Sequence, residues 1–179
     1  MNSKREIDKL ARGIQRCQKC ERSKTRQHSV PGSGDPNSSI LLFGEAPGKK
    51  EDKTGQPFVG RAGRYLEKVL VDLGVEREEL FITSILKCYH PGPPRKEHIA
   101  ACRHWSVQQF NIIKPRVILI MGKTAASAFW EIDKLGLDPM NEMWQEIPCI
   151  ITCHPAAAMR FPERDKQFQR DFGRLLTSL

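Results

Sequence analysis

Four short apolar runs, at residues 40–43, 81–86, 117–121 and 147–152, alternate with stretches of helical periodicity, and that alternation restricts the fold more than any other feature. The third run, VILIM, has no polar position, so a strand there has to be covered on both faces. Between the runs, Tyr65, Leu66, Val69, Leu70 and Leu73 mark a helix near 62–73, and Ile99, Cys102, Trp105, Gln109 and Ile113 mark another over 98–113. GKTAASAFW turns into a further helix. Ile7, Leu10, Ala11 and Ile14 open the chain as a helix that stops near RCQKC, and Phe168, Phe172, Leu175, Leu176 and Leu179 close it as another. Strands joined to helices by short connections predict an α/β fold with a mainly parallel sheet covered by helices on both faces.

Such sheets bind ligands beyond the carboxyl ends of their strands. Four polar or glycine-rich segments fall there: GEAPG, Ser84 to Cys88, GKT and CHPAAAMR. GKT lacks the preceding glycine of a phosphate-binding P-loop, since position 117 is Val, which excludes a nucleotide triphosphatase of that type. The segment FGEAPGKKEDKTGQPFVGRAG, residues 43–63, holds five glycines and puts one carboxylate, Glu45, at its mouth, directly after the first strand. His154 stands before Pro155 across the same sheet edge, and a carboxylate facing an imidazole over a cleft suits hydrolysis with a developing anion. Phe58, set among turn residues, is either a stacking platform or a loop anchor.

The 179 residues fit one domain, 1–179, with a net charge of +8 that favours a polyanionic partner such as nucleic acid. MNSKREIDKL lacks the apolar core of a signal peptide, and the longest aliphatic run is too short to span a bilayer. A cytoplasmic protein with no membrane partner is expected. In a reducing compartment six cysteines are more readily ligands or core residues than disulfides. Cys17 and Cys20 form a C-x2-C pair, and Cys88 and Cys102 flank a proline-rich loop; together they suit zinc or an iron-sulfur cluster, or else form two separate buried pairs. Cys149 and Cys153 read as packing residues.

With these residues in hand, the chain resembles the family-4, iron-sulfur branch of the uracil-DNA glycosylases. The motifs that carry the resemblance are CQKC, the long glycine segment, ITSILKC, AAC, KPRVILIMG and HPAAAMR. The resemblance implies a three-layer αβα sandwich around a central four-stranded parallel sheet. It implies a 4Fe-4S cluster on Cys17, Cys20, Cys88 and Cys102 that supports DNA-facing loops. It further implies a monomer, nucleoid-associated when acting on DNA, that flips uracil out of single- or double-stranded DNA and hydrolyses its glycosidic bond.

In that reading Glu45 stabilises the cationic sugar and positions water, Gly44 and Ala46 bring backbone to the base, and His154 donates to the uracil oxygen that gains charge. Phe58 stacks on the base; Ala156, Met159 and Arg160 belong to the loop that enters the helix. Glu51 or Asp52 orients the water or a backbone amide. Arg22, Lys24, Arg26, Arg61 and Arg164 are candidates for phosphate contacts. The chain departs from the family at Ser84, where the family has an Asn that reads the pyrimidine edge with a donor and an acceptor. Two alternatives follow: excision of another deaminated base, hypoxanthine or xanthine, or lesion binding without turnover. An iron-sulfur electron carrier explains the cysteines but gives the glycine segment no purpose. The proline-rich loop with His90 and His98 lacks the arginine-rich insertion of the branch that traps DNA covalently.

Overall fold

The computed structural model describes residues 2–131 and 142–177. Alternation within the apolar runs assigns each residue to one of two cores. In β2 (Ile40–Gly44), Ile40 and Leu42 enter one core while Leu41 and Phe43 enter the other. β4 (Val117–Met121) divides the same way, with Val117, Leu119 and Met121 opposite Ile118 and Ile120. β3 (Phe81–Ser84) and β6 (Ile147–Thr152) flank this pair in the order β3-β2-β4-β6, all parallel.

The first core is closed by α3 (Arg61–Asp72) and α7 (Pro162–Thr177) through Leu66, Val69, Leu70, Phe168, Phe172 and Leu175. The second is closed by α4 (Lys96–Ile113) and α5 (Lys123–Ala126) through Phe110, Ile113, Ala125 and Ala126, with α1 (Ser3–Gln15) packed on α4. Each fully buried Leu or Phe contributes about 1.5–3 kcal/mol, so both faces are worth covering and the result is a three-layer αβα sandwich.

The sheet is wider than four strands. β1 (Ser33–Gly34) pairs antiparallel with β3, and β5 (Glu142–Trp144) pairs antiparallel with β6, giving six strands. The run expected to be a strand over 81–86 leaves the regular ladder at Ser84, yet Ile85 and Leu86 still donate to Gly44 O at 2.9 Å and Glu45 O at 3.0 Å. That bond pair carries β3 past the end of β2 and bends it toward the cysteines. The glycine segment contains a short helix, α2 (Lys49–Thr54), and GKTAASAFW yields only the four-residue α5. Leu179, expected on the closing helix, lies outside the described residues. Among the described residues no helix is long and apolar enough to cross a membrane.

Candidate active site

β2, β3 and β6 end at Gly44, Ser84 and Thr152, so Glu45, Ser84 and His154 are delivered to one sheet edge by parallel register alone. A cleft of about 410 Å³ opens there, lined by Ala46, Pro47, Phe58, Ser84 and His154 together with Val30, Lys49, Lys50, Glu51 and Arg61. Gly44 lies behind the Phe58 ring: a Cβ at this position would stand 2.5 Å from Phe58 Cζ. Glu45 is half-exposed beside the cleft, where its charge acts on His154.

Phe58 has φ +52°, a left-handed conformation that disfavours an L side chain by about 1–3 kcal/mol. The surroundings hold it. Arg77 donates to Pro57 O at 2.5 Å and to Phe58 O at 3.4 Å. Gly63 admits the Phe58 carbonyl, which would lie 1.8 Å from a Cβ. Glu51 is buried, and its carboxylate accepts the amides of Gly48 at 3.0 Å, Val59 at 2.8 Å and Gly60 at 2.6 Å. Of the two tasks expected of Glu51, the geometry displays the holding of amides. Asp52 performs a similar task elsewhere, accepting from the amides of Gln27 at 3.0 Å and His28 at 3.4 Å.

His154 caps the short helix α6 (Pro155–Ala158), its Nδ1 accepting the Ala156 amide at 3.1 Å. An acceptor nitrogen carries no proton, so the neutral ring bears its hydrogen on Nε2. Burial pushes the His154 pKa down from its ordinary value, opposed by the charge of Glu45. His154 and Phe58 stack with centroids 6.3 Å apart and planes 29° apart. The geometry thus presents a flat aromatic wall and a neutral N–H donor side by side.

Beyond His154, Ala156, Met159 and Arg160 are exposed, with Met159 at 40%. Phe161, at 53%, extends this apolar tip and was not singled out from the sequence. Its helix-start position gave no periodic signal. Lys49 and Lys50, also not singled out, bring cations to the cleft beside Arg61. Arg22, expected among the phosphate-contacting cations, is instead 2% exposed and donates through Nε to Cys88 O at 3.1 Å. Arg26 is likewise turned inward, donating to Cys88 Sγ at 2.9 Å and Gln15 O at 2.6 Å.

That inward turn brings the cysteine region into view. Cys17 and Cys20 follow α1, Cys88 follows β3, and Cys102 lies on α4; all four thiols are free. Cys88 feels the charge of Cys17 and Cys20, and Cys102 that of Cys88 and Cys20, so the two segments converge. Burial pushes Cys88 up, opposed by Arg26, and pushes Cys102 up to about 11, opposed by Lys87. Buried Arg22 Nη1 has no hydrogen-bond partner. Among the described residues no three His, Cys, Asp or Glu side chains are placed to hold a single metal ion. Four soft thiols, surrounding cations and an orphaned donor fit a larger, anionic, sulfur-rich group.

A model of the uracil DNA glycosylase superfamily matches residues 31–176. A type-4 uracil-DNA glycosylase of Pyrobaculum aerophilum is 38% identical, with the match covering 94% of this chain and 92% of that protein. The chain belongs to the uracil DNA glycosylase superfamily. Within this family, a type-4 uracil-DNA glycosylase of Thermotoga maritima is 40% identical over 82% of this chain and 80% of its own length. A type-5 uracil-DNA glycosylase of Thermus thermophilus is 32% identical over 55% and 52%.

Proposed function

We propose that this chain is a DNA repair glycosylase that hydrolyses the bond between uracil and deoxyribose in DNA, leaving an abasic site. The observation that carries the reading is the fixed His154 tautomer beside the Phe58 wall, in a cleft rimmed by Lys49, Lys50 and Arg61. Departure of uracil leaves a cationic sugar and an anionic base, so a site gains rate by stabilising both. Glu45 supplies negative charge toward the sugar and orients the attacking water. Nε2–H of His154 donates to the uracil oxygen on which charge accumulates, and a neutral donor avoids the cost of holding an imidazolium in a partly buried site.

Because the bond is concealed in a duplex, the nucleotide rotates out and its base stacks on Phe58. The hydrogen bonds that hold the Phe58 backbone set its place before DNA arrives, which lowers the ordering cost of the binding step. Met159 enters the vacated stack, with Arg160 beside the strand. Gly44 and Ala46 let the backbone approach the base. Ser84 offers the pyrimidine one hydroxyl in place of an amide, which reduces discrimination by on the order of 1–3 kcal/mol. The substrate is DNA carrying a deaminated base, and the protein acts as a monomer.

Cys17, Cys20, Cys88 and Cys102 would hold a 4Fe-4S cluster, which would tie α1, the end of β3 and α4 together and supply countercharge to Arg22 and Arg26. The site chemistry itself is done by Glu45, His154 and Phe58. Single-turnover assays on a uracil-containing oligonucleotide test these roles. Glu45→Ala and His154→Ala each lower the rate by roughly 10²–10³-fold while DNA binding is retained. Wild-type rates in both variants would remove these residues from the mechanism.

A further inference from the structure

One buried charge is unused by this mechanism. Lys87 is 1% exposed, and its ammonium donates to Ser84 O at 2.6 Å, Thr83 Oγ1 at 2.7 Å and Gln109 Oε1 at 2.7 Å. Those acceptors come from two elements, β3 and α4, and Gln109 in turn donates to Pro31 O at 2.6 Å. Thr83 Oγ1 donates to the same carbonyl at 2.9 Å. The main chain of Lys87 is engaged as well: its carbonyl accepts the Val30 amide at 2.8 Å.

Removing an ammonium from water is expensive, and an apolar chain of the same length would fill this space at lower cost. The compensation is positional. Ser84 and Val30, the two residues that Lys87 holds through its side chain and its carbonyl, both line the cleft. With the Ser84 carbonyl bound from behind, the hydroxyl is the group this residue offers to a base.

We infer that Lys87 is a positioning residue for the base-reading wall of the cleft, setting where Ser84 and Val30 stand against the extruded base. The inference rests on the uracil-excision reading. Lys87 directly precedes Cys88, so one residue joins the thiol region to the wall. Lys87 touches no reacting atom, so its loss acts on rate and base choice rather than on DNA capture.

The test uses the full-length, iron-loaded chain in single-turnover assays, with Lys87→Met beside wild type. The readouts are maximal rate, half-saturating protein concentration, the ratio of uracil to hypoxanthine release, and affinity for DNA carrying an abasic-site analogue. The expected result is a maximal rate reduced by roughly tenfold or more and a lower uracil-to-hypoxanthine ratio, with half-saturation and abasic-DNA affinity unchanged within about twofold. An unchanged rate and ratio in Lys87→Met would overturn the inference, as would a parallel fall of rate and affinity.

If Lys87→Met does not fold, Thr83→Val and Gln109→Leu decide on the same criteria, because each removes one acceptor of the ammonium. Failure of wild type to release uracil would overturn the excision reading and this inference together. Wild-type release with indifferent variants would overturn the inference alone.

Discussion

The glycine loop and the cysteine region sit on either side of the same sheet edge, and they satisfy their buried charges in opposite ways. In the loop, the Glu51 carboxylate accepts three amides of its own segment, and Arg77 donates to the carbonyls on either side of the Phe58 Cα. Nothing further is required to hold Phe58 in its left-handed conformation. In the cysteine region, Arg22 has an unpartnered buried nitrogen, and two burial-raised thiols stand close to cations. The loop is complete as protein; the cysteine region has donors and charges that call for an added group. A preorganised loop is therefore compatible with a neighbouring region that depends on the proposed cluster.

Removing the proposed cluster by oxidation and chelation is the strongest way to break this contrast. It leaves the Arg22 and Arg26 charges without their countercharge and destabilises the chain by about 3 kcal/mol or more, a fall of roughly 10 °C in melting temperature for a chain of this size. Calorimetry before and after removal checks it, with protease cleavage appearing first around residues 17–26.

Glu51→Gln attacks the other region. A glutamine turns an NH₂ toward amides that need an acceptor, costing about 1–3 kcal/mol. Chemical denaturation measures that loss, while iron content per chain stays at the wild-type value. Ser84→Asn sharpens the base-reading wall and raises single-turnover uracil release by roughly tenfold, read from rates on uracil and hypoxanthine oligonucleotides.

The smallest effect concerns pH. Burial places the folded pKa of His154 below its ordinary value of 6.5. Below that pH the unfolded chain binds a proton that the folded chain resists, so stability is present above about 6.5 and declines as pH falls through the window beneath it. The neutral ring, with Nδ1 accepting the Ala156 amide, persists over part of that window. A pH–rate profile at saturating protein stays level from neutral pH to just under 6.5, and His154→Asn removes the associated pH dependence of stability.

The inner sheet was legible because its four strands are mostly apolar, and their alternation with periodic helices left one arrangement. β1 and β5 were not, because strands of two and three residues are too short to show a period. The helix after Gly122 was expected to be longer; only Lys123–Ala126 forms. At the site, Glu45 and His154 were named from their place after strands, Phe58 from its setting among turn residues and Ser84 from the resemblance, and the fold brings Phe58, Ser84 and His154 into one cleft with Glu45 beside it. Arg22 and Lys87 were misjudged or missed for one reason. A sequence marks a cation as polar and hence exposed, while its burial depends on acceptors contributed by distant segments such as Gln109 and Cys88. Arg77 escaped notice similarly, since its partners are carbonyls that leave no trace in residue type.

The most direct measurement is the identification of the free base released by the iron-loaded wild-type chain from single-stranded and duplex oligonucleotides, carrying uracil, hypoxanthine, xanthine or thymine, under single-turnover conditions. The account predicts free uracil in amounts equal to alkali-labile sites, and no release of thymine. Binding to uracil-containing DNA with no base released, or release of hypoxanthine or xanthine alone, would contradict it.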